Sequence, residues 1–185
     1  MKKHTFLLLM LLLPVTSFAC AISAGGPQLE ETIPVSTEAA GTLQQSLDAL
    51  DQSGLSDAFA VTVTEEQITS YLSLQLSADS SIPISNPQVR LRDNQIQLYG
   101  TVTRGIFSAN VRVNLAAQLD AEGNLSFLLV DADFGNIPAP DSLKNTVSSI
   151  LDTGLNSYLT ELAAGIRIEN VYIADGLMTI SGIRR

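Results

Sequence analysis

Histidine and cysteine each occur once in this chain, and tryptophan not at all. The histidine, His4, lies in an N-terminal segment read below as removed, so the mature protein has none. That excludes Ser-His-Asp and Cys-His catalysis and His/Cys zinc sites. One cysteine excludes an intramolecular disulfide framework. Aromatic residues, at 5%, are too few to suggest stacking on sugars or nucleobases. Positive charge is also scarce: Lys+Arg total 10 against 19 Asp+Glu, a net charge of −9. Such a chain is repelled by nucleic acid and by anionic lipid surfaces, and no nucleic-acid partner is expected. No cofactor motif is present. Apolar residues make up 45% of the 185 residues, enough for one folded domain and too many for a disordered chain.

The first twenty residues have a clear pattern. Lys2 and Lys3 precede a leucine-rich run, then Pro14 and the small-residue stretch Thr16-Ser17-Phe18-Ala19. A basic start, a short apolar run and a cleavage site mark a secretory signal over 1–19, and the run falls short of the ~20 apolar residues of a membrane-spanning helix. Ser17-Phe18-Ala19-Cys20 resembles the lipobox of bacterial lipoproteins, in which the cysteine becomes the lipidated first residue. It departs from the usual pattern at Ser17 and Phe18. The alternative is plain cleavage, with Cys20 incidental. Residues 20–40 have no apolar period and read as a lipidated N-terminus and flexible tether, spanning on the order of 25 Å. The expected location is extracytoplasmic, at the cell membrane through a lipid on Cys20, or else soluble after secretion.

A single domain is expected over 41–185. Leu43, Leu47 and Leu50 share one helical face between Thr42 and Asp51, and Phe59 to Val63 is a short strand. Thr64-Glu65-Glu66-Gln67 is a capping box opening a helix that buries Ile68, Tyr71, Leu72 and Leu76. Gln88–Arg92 and Gln95–Thr103 flank Asp93-Asn94 as a two-residue hairpin. From Phe107 to Asp120 apolar and polar residues alternate without a break, and Glu122-Gly123-Asn124 turns that strand into 125–134. A long amphipathic helix is predicted over Asp141 to Ala164, with Leu143, Val147, Leu151, Leu155, Tyr158 and Leu162 in one stripe. A hairpin around Asp175-Gly176 closes the chain. The order predicts an α+β fold, with a long curled antiparallel β-sheet wrapped on the long helix.

The phrases TVTEEQITSYL (62–72), NPQVRLRDNQIQLYG (86–100), ADFGNIPAPDSL (132–143) and RIENVYIADGLMTISG (167–182) resemble small exported bacterial proteins related to YpmS and, more distantly, LmeA. The resemblance covers about residues 57 to 183 and rests on structural motifs. It implies a tubular lipid-binding (TULIP-like) domain that holds acyl chains or phospholipid in an elongated groove.

On that reading Val111, Val113 and Leu115 face Leu151, Leu155 and Tyr158 across an apolar ligand groove, while Arg90 and Arg92 contact a headgroup at its mouth. The plainer alternatives are a packed core and a solvated basic face. Asp131 and Asp133 share a strand face, as a paired-carboxylate or calcium site would, but no further ligand joins them. Asp133-Phe134-Gly135 lacks every companion of the kinase motif. Ser142 and Lys144, two apart on a helix, point different ways. No metal site and no enzyme are expected. Two functions follow: an exported, non-catalytic lipoprotein carrying a lipid or other hydrophobic small molecule, or a cell-envelope scaffold with a packed core and an acidic surface, its protein partner unknown.

Overall fold

The computed structural model describes residues 22–23, 25–52, 58–78, 84–104, 107–135 and 166–184. Its elements are β1 (Ile22–Ser23), α1 (Thr37–Gln52), β2 (Ala58–Thr64), α2 (Glu65–Ala78), β3 (Ile84–Arg92), β4 (Gln95–Arg104), β5 (Phe107–Leu119), β6 (Leu125–Asp133), β7 (Ile166–Ala174) and β8 (Leu177–Arg184).

Local chemistry explains where these elements begin and turn. The Ser36 hydroxyl accepts the Ala39 N–H at 3.2 Å and caps α1. Thr64 and Gln67 form the predicted capping box: the threonine hydroxyl accepts the Gln67 N–H at 3.1 Å, and the glutamine side chain accepts the Thr64 N–H at 2.9 Å. Asp93 and Asn94 turn the β3–β4 hairpin with φ of 53° and 57°, and Asp175 and Gly176 turn β7 into β8 with φ of 50° and 82°. Two consecutive positive φ angles give a turn whose twist matches the flanking strands.

The strands form two sheets. The larger has the order β3-β4-β5, with β6 and the two residues of β1 both paired to the far side of β5. Only the β1–β5 pairing is parallel. The smaller sheet has the order β2-β8-β7 and is antiparallel throughout. One core joins both sheets to the helices: Val89, Leu91, Val113 and Leu115 from the larger sheet, Val63, Ile173 and Met178 from the smaller, and Leu43 from α1.

This corrects the predicted architecture. The class is α+β, but two separate sheets replace the single curled sheet, and the described helices are short, at 16 and 14 residues. The predicted long helix, Asp141 to Ala164, lies outside the described residues. Alternation marks a strand without naming its neighbour. β2 pairs with β8 across more than a hundred residues, Ala58 opposite Ile183 and Thr64 opposite Leu177, and no local pattern encodes that.

Two finer expectations also change. The tightest face of α2 is polar: Thr69 and Ser70 are fully buried, while Ile68, Tyr71 and Leu72 are partly buried against the core. Part of the segment expected to be a free tether is packed. Ile33 is buried, and its backbone makes two hydrogen bonds with the Gln88 side-chain amide, of 2.6 and 3.2 Å. The Ser36 N–H donates to the Ser70 hydroxyl at 3.0 Å. One buried isoleucine amid polar residues has no period to reveal it.

Candidate functional site

The two sheets meet at Glu65, the first residue of α2. Its carboxylate is nearly buried and accepts the Arg90 guanidinium at 2.9 Å, the Arg92 guanidinium at 2.6 Å and the Leu91 N–H at 2.7 Å. The Glu65 N–H donates to the Gly176 carbonyl, and the Gly176 N–H donates to the Leu91 carbonyl. Helix, β3 and the β7–β8 turn are thus tied at one residue, β3 by its carboxylate and the turn by its backbone N–H. Arg90 and Arg92, expected to meet a headgroup, spend their charge on this acid instead. The sequence shows Glu65 only as an acid in a capping box; nothing local pairs it with strand β3.

Of the expected groove residues, Val111, Val113 and Leu115 are buried at 6%, 4% and 3% exposure. Val113 and Leu115 belong to the core shared by both sheets. Leu151, Leu155 and Tyr158 lie outside the described residues, as does Cys20. The described residues form a closed core with no curled groove, which overturns the lipid-carrier reading together with its TULIP-like architecture. Nothing in them supports the expected lipoprotein, membrane-anchored character. No described helix is long and apolar enough to cross a membrane, and no group of three or more metal-ligating side chains occurs among the described residues. Asp131 and Asp133 face Arg112 at 3.8 and 3.5 Å. These are loose, exposed ion pairs of small energetic weight.

An open cleft of about 530 Å³ lies beside the contact of the β3–β4 turn with β7, lined by Arg92, Asp93, Asn94 and residues 171–175. Tyr172, 61% exposed, stands at its side. Arg92 is already paired with Glu65, and the Asn94 N–H is taken by the Ile173 carbonyl.

The sheet edges differ more tellingly. An edge strand exposes unpaired N–H and C=O groups that invite another strand, and proteins blunt such edges with charges, bulges, proline or a covering element. On β3, Asn86 and Pro87 form a bulge, and α2 covers the rest. Thr69 accepts the Val89 N–H at 2.9 Å, as Glu65 accepts that of Leu91. The fit is geometric: four helical residues rise ~6 Å and two strand residues ~6.7 Å, so acceptors at i and i+4 match alternate N–H groups. On β6 the register breaks near Val130, and Asp131 and Asp133 follow. On β7 the register breaks near Glu169, and turns from the larger sheet hold both ends. Ile168 donates to the Gly123 carbonyl at 2.9 Å, and Asn94 donates to that of Ile173 at 3.1 Å. Gly123 has φ of 81°, and an added Cβ would meet the Ile168 carbonyl oxygen at 2.7 Å, so only glycine allows that contact.

Among the described residues, β2 has none of these devices. Its sequence, AFAVTVT, carries no charge and no proline, and its register with β8 is unbroken from Ala58 to Thr64. Its hydrogen-bond directions follow from the hairpin. The Ile173 carbonyl points away from β8 to Asn94, so Ala174 and Leu177 bond to each other. Met178 then bonds Val63, and the backbone groups of Thr62, Ala60 and Ala58 point outward. The Thr64 N–H, next in that outward series, is taken by Gln67, as this alternation requires. Three N–H and three C=O groups therefore line an open edge with no partner among the described residues. The side chains of Ala58, Ala60 and Thr62 are exposed. The missing charge and proline were legible in the sequence; the position at an edge was not. No protein family's profile matches this chain, and no curated protein matches it.

Proposed function

We propose that this protein is an exported, non-catalytic polypeptide-binding domain that takes an extended strand onto the edge of β2. The observation that carries this reading is the run of outward backbone groups on Ala58, Ala60 and Thr62, in a strand that itself holds no charge, proline or bulge. Strand addition draws affinity from main-chain hydrogen bonds and specificity from alternate side chains. Small, uncharged side chains on β2 leave room for the incoming strand.

The non-catalytic reading draws support from the one buried ionisable cluster among the described residues. Glu65, Arg90 and Arg92 are committed to one another and to backbone, so none of the three is free for a substrate. Residues 1–19 support export, because a basic start, an apolar run and small residues form a cleavable signal. In place of the acidic face expected of a scaffold, recognition rests on an uncharged strand edge.

Amide hydrogen exchange on dilute protein tests the reading. Thr62, Ala60 and Ala58 should exchange fast, and Phe59, Val61 and Val63, bonded to β8, slowly. A synthetic strand of alternating threonine and valine with lysine at each end should slow the first three selectively. Equal exchange along β2 in the free protein, or no slowing by the peptide, would sink the reading.

A further inference from the structure

We infer that the strand accepted by β2 is β2 of a second copy of this chain, paired antiparallel about a two-fold axis at Ala60. This rests on the strand-binding reading and names its partner.

The edge is self-complementary. Placing Ala60 opposite Ala60 of the second copy sets Ala58 opposite Thr62 and Thr62 opposite Ala58. Each of these positions directs its N–H and C=O outward, so every such donor on one copy meets an acceptor on the other. No outward group in the run from 58 to 62 is left over, and the neighbouring Thr64 N–H is already held by Gln67. A shift of two residues in either direction would strand groups at both ends.

Side chains agree with the same register. On the exposed face it brings only alanine and threonine together, with no bulk to hold the backbones apart. On the other face Phe59 lies opposite Val61, twice, and both residues are only partly buried in one copy. Aromatic with β-branched is among the favoured cross-strand pairs. The pairing joins two three-stranded sheets into one of six strands, and it removes the only described edge without a protecting device. A closed two-fold contact also ends there, because each copy uses the single open edge among its described residues.

Two features set the strength of this contact. A seven-residue strand edge buries little area, and interfaces below ~1,200 Å² form weak, reversible complexes. The full sequence carries a net charge of −9, and loss of Lys2 and Lys3 with residues 1–19 makes each exported copy more acidic still, so the copies repel at long range although the strands themselves are neutral. Association should therefore depend on concentration and strengthen with salt.

The experiment uses the exported chain with Cys20→Ser, which leaves no native thiol. Sedimentation should show a monomer–dimer equilibrium whose dissociation constant falls severalfold when salt rises from about 0.05 M to about 0.5 M, as screening shortens the range of repulsion. Adding Ala60→Cys should give rapid disulfide dimers, because opposed bonded residues sit ~5.5 Å apart, within the range a disulfide spans. Ala58→Cys alone should not cross-link, since its copies lie about four residues apart, ~13 Å. Mixed with Thr62→Cys it should. Ala60→Lys should abolish dimers without unfolding the domain. Equal cross-linking at all three positions, or a monomer at every concentration and salt, overturns the inference. If that monomer still binds the threonine–valine peptide, only the choice of partner fails; if it binds neither, the strand-binding reading falls as well.

Discussion

The edges of β3 and β2 pose one chemical problem and meet opposite fates. Both expose alternate backbone groups at the margin of a sheet. On β3, Glu65 and Thr69 take the place of a neighbouring strand by accepting the N–H groups of Leu91 and Val89. Yet α2, which carries both side chains, is joined directly to β2. The chain thus uses the helix beside one edge to close the edge of the other sheet, and it leaves β2 open. An edge is therefore a choice of side chains as much as of topology. Where the acceptors stand four apart on a helix, the edge becomes core; where they are lacking, its backbone groups stay without a partner among the described residues.

Breaking the closed edge should cost most. Glu65→Ala leaves two guanidinium groups and a buried N–H without their acceptor. Removing one partner of a buried ion pair costs about 3–5 kcal/mol, and the exposed flank of Arg92 places the expectation at the lower end. Denaturant unfolding measures it; a loss under ~1 kcal/mol, as for a surface pair, would mean that Glu65 does not join the sheets.

The comparison also requires both sheets to clamp one filled core. Val113→Trp then overpacks that core and should cost about 1–3 kcal/mol or more, read as a lower thermal midpoint. An unchanged midpoint would reopen the space that Val113 was first expected to line. Thr69→Val keeps the shape and removes the acceptor of the Val89 N–H, for about 1–3 kcal/mol. Its effect should reach β3 first, as faster exchange at Val89.

Much of this local structure was legible in the sequence. Thr64 and Gln67 make the box their spacing promised, Asp93 and Asn94 make the turn, and the alternation from Phe107 onward is the strand β5. These features depend on residues close in the chain. The pairing of β2 with β8 does not, and neither does the reach of Arg90 and Arg92 to Glu65, 25 and 27 residues away. Two arginines on one strand face look like a phosphate site until the acid on a separate element is placed beside them. Three valines and leucines on one face of β5 fit either a groove or a core, because periodicity marks the apolar face without saying what covers it. The open edge of β2 was half visible: its lack of charge could be read, its place at a margin could not.

On the open edge itself, Ala60→Lys touches no bond to β8 and should change monomer stability by no more than ~0.5 kcal/mol, as surface substitutions do. A large loss would show that the outward groups of β2 are engaged within the monomer.

The smallest expected effect concerns the partly closed edge of β7, which the β5–β6 turn holds through the bond from Ile168 to Gly123. Asp120 organises that turn. Its carboxylate accepts the Asn124 N–H at 2.8 Å, the Asn124 side-chain amide at 2.7 Å and the Glu122 N–H at 3.0 Å. These bonds, those from Asn124 foremost, hold its pKa below the ordinary 3.8. A carboxylate with a lowered folded pKa stabilises the fold above its unfolded value, and that contribution fades as pH drops through the folded value. Asp120→Asn should therefore be slightly less stable than the native chain at pH 7, and the two should converge in acid below about pH 4, near the ordinary carboxylate range. Urea midpoints across that series, with exchange at Ile168 as the local reading, measure both effects. A difference that stays constant with pH would assign the turn's stability to its backbone bonds alone, and the hold on β7 would then owe nothing to the charge on Asp120.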